Sequence, residues 1–302
     1  MKESLQKNKK LIISLSVVLG IVLLLIILYF TVFTLKSVEV DFRNESHIYS
    51  EESKQSIAED SIIKKGSSIF TLSKKTITKT LEKNNPYLKI INIETVFPSK
   101  IIIHCAEREE TYAVRANDTK YFICDAEFKV LNVSPSYYNS QAILFTGLEN
   151  LIENTNRVNA GEFLEFSSEA EVLKSIGTSL LRANKTVIMQ KSLIESIEFT
   201  SGIYYYTAKN QPYLIIKDKN GFQTNVYAID TLLAEKFQAM FATWSNVIYN
   251  PSVFYKDELN STDPEKKIEL ADIPQNYYLN YTLNVYEDNH GKLDLVISKN
   301  EE

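Results

Sequence analysis

The sequence predicts a membrane-anchored α+β protein. It reads as an N-terminal transmembrane helix, a small β-α-α-β-β domain, and a mixed β-rich domain with two helices. Three observations carry this reading. Residues 11–33 form an apolar run without a charge. Over residues 36–108 the hydrophobic period passes from strand to helix, to helix again, then to two strands. Beyond residue 108, short runs rich in Tyr, Ile, Val and Phe are separated by turn residues. The expected divisions are a tail at 1–10, the membrane helix at 11–34, the first domain at 36–108, the second at 109–288 and a C-terminal tail at 289–302.

The apolar run is broken only by Ser14, Ser16, Gly20, Tyr29 and Thr31. At about 1.5 Å per residue it reaches roughly 30 Å or more, the thickness of a hydrocarbon core. A cleaved signal would be shorter and would end in a small-x-small site, which is missing here. Lys2, Lys7, Lys9 and Lys10 precede the run, and Lys36 alone closely follows it. The positive-inside rule then places the N-terminus in the cytoplasm and the rest outside.

Net charge is −5, and the tail contributes +3, so the remainder carries −8. An acidic soluble part argues against nucleic acid, whose phosphates call for clustered Lys and Arg. Eight glycines in 302 residues weigh against glycine-rich phosphate cradles.

Within the first domain, residues 37–42 alternate as a half-buried strand. Ser50 is placed to cap a helix running to about Ser61, with Glu51 and Glu52 in its first turn. After a turn at Gly66, Ile69 and Phe70 read as a buried plug. Ser73 can cap a second helix over 74–83 whose inward stripe is Ile77 and Leu81. Strands follow at 88–96 and 100–107. Ile101, Ile103 and Cys105 form the inward face of the second, opposite His104.

In the second domain, strands are expected at 111–115, 120–125, 140–146, 194–200, 203–208, 212–217 and 222–228. Turns are expected at Ser201-Gly202 and Asn220-Gly221. Residues 167–184 read as a helix facing inward through Val172, Ile176, Leu180 and Leu181. Residues 229–246 read as another, through Leu232, Leu233, Phe237, Met240 and Phe241. Residues 250–267 are a polar surface excursion. Residues 277–285 alternate as a strand, and 293–297 can add one more across Asn289-His-Gly291.

Few residues suggest chemistry. Ser61 and Lys64 match a Ser-x-x-Lys nucleophile pattern, as do Ser4 and Lys7, but no Lys-Thr-Gly completes it. Cys105 and Cys124 could form a disulfide outside the membrane; the alternation around Cys105 favours a buried free thiol. His47, His104 and His290 lack metal-ligand spacing, so no metal or cofactor is expected. Sequons at Asn44, Asn132 and Asn280 match what chance supplies. Lys64, Lys65, Lys74, Lys75 and Lys79 make one face basic, either merely solvated or able to meet anionic lipid headgroups or an acidic partner. Tyr277, Tyr278, Tyr281 and Tyr286 form a cluster suited to an interface. Strand alternation would put Tyr277 and Tyr281 on one face and Tyr278 on the other.

The pattern Val-x-Val-x-Phe at 38–42, Gly-Ser-Ser-Ile-Phe at 66–70, Pro-Tyr-Leu-Lys at 86–89, Phe-Pro at 97–98 and Glu-Arg at 107–108 resembles the POTRA domain of FtsQ/DivIB bacterial cell-division proteins. Tyr-Phe-Ile-Cys-Asp at 121–125 with Val130 and Leu131 is similar to the opening of that family's β domain. Residues 213–221 and 233–237 resemble its later strand, turn and helix. The chain departs from the family at Glu110, where a proline is usual, and at Glu127-Phe128, where a hairpin glycine is usual. Ile268 and Leu270 only echo its closing strand.

The resemblance implies a non-enzymatic, single-pass scaffold of the bacterial cell membrane, concentrated at the division septum. Its expected partners are DivIC/FtsB-like and FtsL-like proteins and other divisome components, with membrane lipid met through the anchor and no small-molecule substrate. Through those partners it would help control septal peptidoglycan synthesis. The expected partner contacts are Ile268, Leu270, Tyr277, Tyr278 and Tyr281 on an exposed closing strand, with Lys64, Lys65, Lys74 and Lys75 as a POTRA docking face. The competing class is a membrane-anchored extracellular cell-wall enzyme or wall-binding module.

Overall fold

The computed structural model describes residues 2–44, 46–137, 142–184, 191–204, 207–248 and 250–300. The chain divides into two compact units, Met1–Arg108 and Glu109–Glu302.

The first unit opens with helix α1, Lys2–Thr31. Among the described residues no helix is long and apolar enough to cross a membrane. Within α1 the described side chains are those of residues 13–29 and 31, apolar and exposed save Ser14, Ser16, Gly20, Tyr29 and Thr31. Strand β1 (Ser37–Phe42), helices α2 (Glu51–Ala58) and α3 (Lys74–Asn84), and strands β2 (Leu88–Val96) and β3 (Lys100–Glu107) follow. The sheet order is β1-β3-β2, with β1 parallel and β2 antiparallel to β3. The helices cover one face. Ile57, Ile77 and Leu81 meet Leu88, Ile93, Ile101, Ile103 and Cys105 there.

Both expected caps form. Ser50 Oγ accepts from Ser53 N (3.3 Å) and Ser73 Oγ from Thr76 N (3.4 Å), satisfying helix-end donors. α2 stops at Ala58 rather than near Ser61, because Asp60 turns the chain by accepting from Ile62 N (2.9 Å). Only half of the expected plug is buried. Ile69 is in the core, whereas Phe70 is 57% exposed.

The Glu-Arg pair closes the unit from both sides. Glu107 Oε2 accepts from Ser46 Oγ (2.6 Å), His47 N (2.9 Å) and Ile48 N (3.2 Å), which fixes the loop before α2. Arg108, buried, reaches Glu82 Oε2 on α3 (3.1 Å) and Leu88 O on β2 (3.2 Å). On the outer sheet face, His104 lies between Asp41 on β1 (3.0 Å) and Glu94 on β2 (3.2 Å).

The second unit holds a nine-stranded sheet ordered β12-β11-β10-β9-β8-β7-β4-β5-β6. Its strands are β4 (Tyr112–Asn117), β5 (Lys120–Cys124), β6 (Val130–Ser134), β7 (Ile143–Thr146), β8 (Ile194–Ile203), β9 (Asn210–Asp218), β10 (Gln223–Val226), β11 (Tyr281–Glu287) and β12 (Leu293–Lys299). A 3-10 helix (Ser168–Ser175), α4 (Ile176–Asn184) and α5 (Leu233–Thr243) pack on one face through Leu173, Ile176, Leu180, Phe237 and Met240. Gly177 lets α4 approach closely, since an added Cβ would collide with the Ala126 carbonyl.

Several expectations need correction. Ser201-Gly202 is not a turn: β8 runs through it, paired to β9 as far as Ile203. The glycine instead makes room for the Tyr213 ring, 2.9 Å from where a Cβ would stand. The reversal comes later, where Tyr204 N donates to Lys209 O (2.8 Å); of the strand expected over 203–208, Ile203 is the end of β8, and residues 205 and 206 lie outside the described residues. The helix expected over 167–184 begins as a 3-10 helix. α5 starts at Leu233 because Leu232 has φ +46, and Leu232 points outward. Residues 277–280 form a 3-10 helix and not a strand. Residues 289–302, expected as a tail, carry β12. The expected strand at 140–146 is seen as Ile143–Thr146, and residues 140 and 141 lie outside the described residues.

Three hairpins share one turn. Asp125, Asp218 and Asp288 each accept with Oδ1 from the N–H two and four residues on, at 2.8–2.9 Å. The residue three on has positive φ: Gly221 at +86, Gly291 at +75, and Phe128 at +59. Phe128 keeps its place because its ring is buried against Tyr112, Phe145 and Phe166.

Two outcomes follow. Arg108→Met leaves Glu82 without its buried cation, and should cost about 3–5 kcal/mol in urea unfolding. The His104 pKa is raised by the hydrogen bonds its ring donates to Glu94 and Asp41. Charged His104 therefore stabilises the fold fully below its ordinary pKa, and this contribution fades as pH rises through the raised value. The urea midpoint of wild type should exceed that of His104→Gln at mildly acid pH, and the gap should close at alkaline pH.

Candidate functional site

The C-terminal edge of the large sheet is the candidate site. β11 returns to the sheet parallel to β10, with Thr224 opposite Leu283 and Val226 opposite Val285. β12 then pairs antiparallel to β11, from Tyr281 opposite Lys299 to Glu287 opposite Leu293. No described strand lies beyond β12.

The ladder shows which main-chain groups face outward. Asn300 N donates to Asn280 O and Asp288 N to Lys292 O, both at 2.8 Å, at the two ends of the hairpin. Hydrogen-bonded pairs recur every second residue in an antiparallel ladder. Asp294, Val296 and Ser298 therefore spend their N–H and C=O on β11. Leu293, Leu295, Ile297 and Lys299 direct theirs away from the sheet. On the core side of this edge, Ile297 packs on the main core, while Leu295 is 42% exposed. The edge thus offers a ladder of unpaired backbone beside an open apolar surface, the arrangement that accepts an added strand.

A buried cation holds this edge in register. Lys236, on the inward face of α5, donates to Ala228 O (2.6 Å), Thr231 O (2.8 Å) and Glu287 Oε2 (2.9 Å). Burial lowers the Lys236 pKa against the pull of Glu287. Burial pushes Glu287 up, yet hydrogen bonds from Thr231 and Lys236 outweigh it and hold the carboxyl below its usual value. Tyr204 Oη also bonds the Glu287 carbonyl and accepts from Glu287 N (3.2 Å).

The tyrosines expected to meet a partner are mostly packing residues. Tyr277 is 5% exposed, edge-on to Phe254 at 5.2 Å. Tyr278 is half-buried against the core, and Tyr281 is half-buried with its ring 4.6 Å from Phe254. Phe254 comes from the polar excursion, in the one-turn helix α6 (Pro251–Phe254) that precedes α7 (Lys256–Leu259). Tyr277 and Tyr278 precede β11, so the alternation expected to part their faces does not apply. Tyr286 joins a separate row on the uncovered face, stacked with Tyr227 at 4.8 Å, and Tyr227 with Tyr213 at 4.7 Å. Ile268 is half-buried and Leu270 is 58% exposed, but they belong to no strand. The geometry gathers Tyr277, Tyr278 and Tyr281 and leaves Ile268 and Leu270 off the sheet. Leu295 and Lys236 escaped sequence reasoning. Leu-Asp-Leu-Val-Ile after the Asn-His-Gly turn, and a lysine four before Met-Phe on an apolar stripe, were their signals.

In the first unit, Lys64, Lys65, Lys74, Lys75 and Lys79 are all exposed. Cys105 and Cys124 are both free and buried, one in each unit. Burial pushes the Cys105 thiol up to about 12 and Cys124 well above its ordinary value, so neither is a ready nucleophile. Among the described residues, no group of three or more His, Cys, Asp or Glu could hold a metal ion.

Lys236→Met should leave Glu287 without its cation and strip the Ala228 and Thr231 carbonyls of the ammonium's hydrogen bonds. A loss of about 3–5 kcal/mol is expected, with faster hydrogen exchange in β11 and β12 than elsewhere in the sheet.

A comparison with curated proteins found no match. A comparison with family models matched residues 46–108 to the POTRA domain, FtsQ-type. That span takes in α2, α3, β2, β3 and both residues of the Glu-Arg pair. Segment 46–108 is a POTRA domain of the FtsQ type, which supports an FtsQ/DivIB-type identity for the chain that carries it.

Proposed function

We propose that this protein is a bitopic divisome scaffold, not an enzyme. The observation that carries the reading is the FtsQ-type POTRA domain at 46–108, joined in one chain to a sheet that ends in an open strand. α1 is the anchor: at about 1.5 Å per residue its thirty residues reach about 45 Å, and most of its described side chains are apolar and outward-facing. The N-terminus lies in the cytoplasm, and both units lie outside at the septum.

DivIC/FtsB-like and FtsL-like proteins are the partners, and through them the scaffold helps control septal peptidoglycan synthesis. The partner adds a strand along β12, pairing with the outward groups of Leu293, Leu295, Ile297 and Lys299 and covering Leu295. Tyr278, Tyr281 and Leu270 then belong to the flank of that contact, and Tyr277 supports it from beneath. Lys64, Lys65, Lys74 and Lys75 offer a second, basic face to an acidic partner near the bilayer.

Leu295→Pro tests the mode of binding. It removes an N–H that β11 does not use, and an edge strand tolerates proline in that orientation. Capture of the extracellular parts of the DivIC-like and FtsL-like proteins should weaken about tenfold, equal to one net hydrogen bond of about 1.4 kcal/mol. Val296→Pro should instead disturb the fold, since its N–H serves the ladder. Undiminished capture by a folded Leu295→Pro protein would refute strand addition at β12. Failure of the wild-type chain to capture either partner would favour the anchored wall-module class.

A further inference from the structure

Two exposed phenylalanines flank the point where α1 ends. Phe70 is 57% exposed and Phe97 is 61% exposed. Neither ring belongs to the core of the unit, yet both are held in place. Phe70 lies in the 3-10 turn Ile69–Thr71, and that turn is bonded to the chain leaving α1. Ile69 N donates to Phe33 O (2.8 Å), Leu35 N to Ser67 O (2.9 Å) and Gly66 N to Leu35 O (2.9 Å). Phe97 opens the turn between β2 and β3, and that turn is tied to the same stretch. Lys36 N and Ser37 N donate to Ser99 O at 2.8 and 3.3 Å.

The rings form one surface. Tyr29, in the last turns of α1, stacks with Phe70 at 6.2 Å between centroids. Phe33 meets Phe70 at 5.4 Å, and Phe70 meets Phe97 at 5.6 Å. Exposed Lys36, Lys64 and Lys65 adjoin these segments in sequence. Apolar rings beside lysines, at the end of an apolar helix, have the composition of a membrane boundary.

We infer that Phe70 and Phe97 insert into the headgroup–acyl boundary of the bilayer, so that the POTRA domain rests on the membrane it is anchored in. This rests on the reading of α1 as an anchor. Lipid is the occupant because the patch is continuous with the helix. Phe70 sits level with Tyr29 and Phe33, so the medium that surrounds the last turns of α1 also reaches the Phe70 ring. The backbone bonds at Phe33, Leu35, Lys36 and Ser37 leave no free linker with which the domain could lift away.

Tryptophan fluorescence in the full chain, reconstituted in phosphatidylcholine vesicles, tests this. Phe70→Trp and Phe97→Trp are made singly, at positions too exposed to threaten folding. Native Trp244, buried in the second unit, is the common background. Leu24→Trp reports on α1. Acyl chains brominated near the headgroup should quench most of the added emission from Phe70→Trp and Phe97→Trp. Chains brominated near the methyl end should quench Leu24→Trp more. Quenching of Leu24→Trp alone overturns the inference and leaves the anchor standing. Quenching of Phe70→Trp and Phe97→Trp without Leu24→Trp supports the lipid contact and overturns the anchor. Quenching of none overturns both.

Discussion

The parallel pairing of β10 with β11 is the contact on which the C-terminal edge depends. Between them the chain leaves the sheet, forms α5 and a polar excursion, and returns to meet Gln223–Val226 residue for residue. A parallel ladder has no tight turn to set its register. Here the register is set at a distance by Lys236. Its ammonium group gathers the exit from β10, at Ala228 and Thr231, and the far end of β11, at Glu287. The apolar alternation at Leu283 and Val285 resists a one-residue slip, which would turn its core face outward, but not a two-residue slip, and the Lys236 tie opposes that one. The cation thus decides where β12, and the unpaired backbone beyond it, will stand.

The first unit was the more legible of the two in sequence, and the reason is local encoding. Ser50 and Ser73 announce helix starts through their own hydroxyls, and β3 announces its faces through strict alternation at Ile101, Ile103 and Cys105. What stayed hidden was decided by distant neighbours. Glu107 and Arg108 stand side by side in sequence, yet one serves the loop before α2 and the other serves α3 and β2. His104 looked isolated until two other strands brought Asp41 and Glu94 to it.

The candidate site was half legible. The Asn-His-Gly turn and the strand after it could be read, so the closing hairpin was expected. The tyrosines before it misled, because a ring that suits an interface also suits packing beneath one. Tyr277 shows this, covered by Phe254 from a segment whose polarity suggested solvent. A 3-10 helix of four residues has no hydrophobic period to betray it, so alternation was read where none exists. Lys236 was obscured for another reason: its burial is tolerable only with three acceptors, and those lie up to fifty-one residues away.

The three aspartate turns have the same hydrogen bonds but different degrees of independence. At Gly221 and Gly291 the left-handed conformation costs little, so those two hairpins are specified by their own few residues. At Phe128 the same conformation costs about 1–2 kcal/mol, recovered only when the ring reaches Tyr112, Phe145 and Phe166. That turn is conditional on the core that surrounds it. The two ends of the sheet are therefore specified differently: the β11–β12 turn by its own few residues, and the β5–β6 turn by the interior packed around its ring.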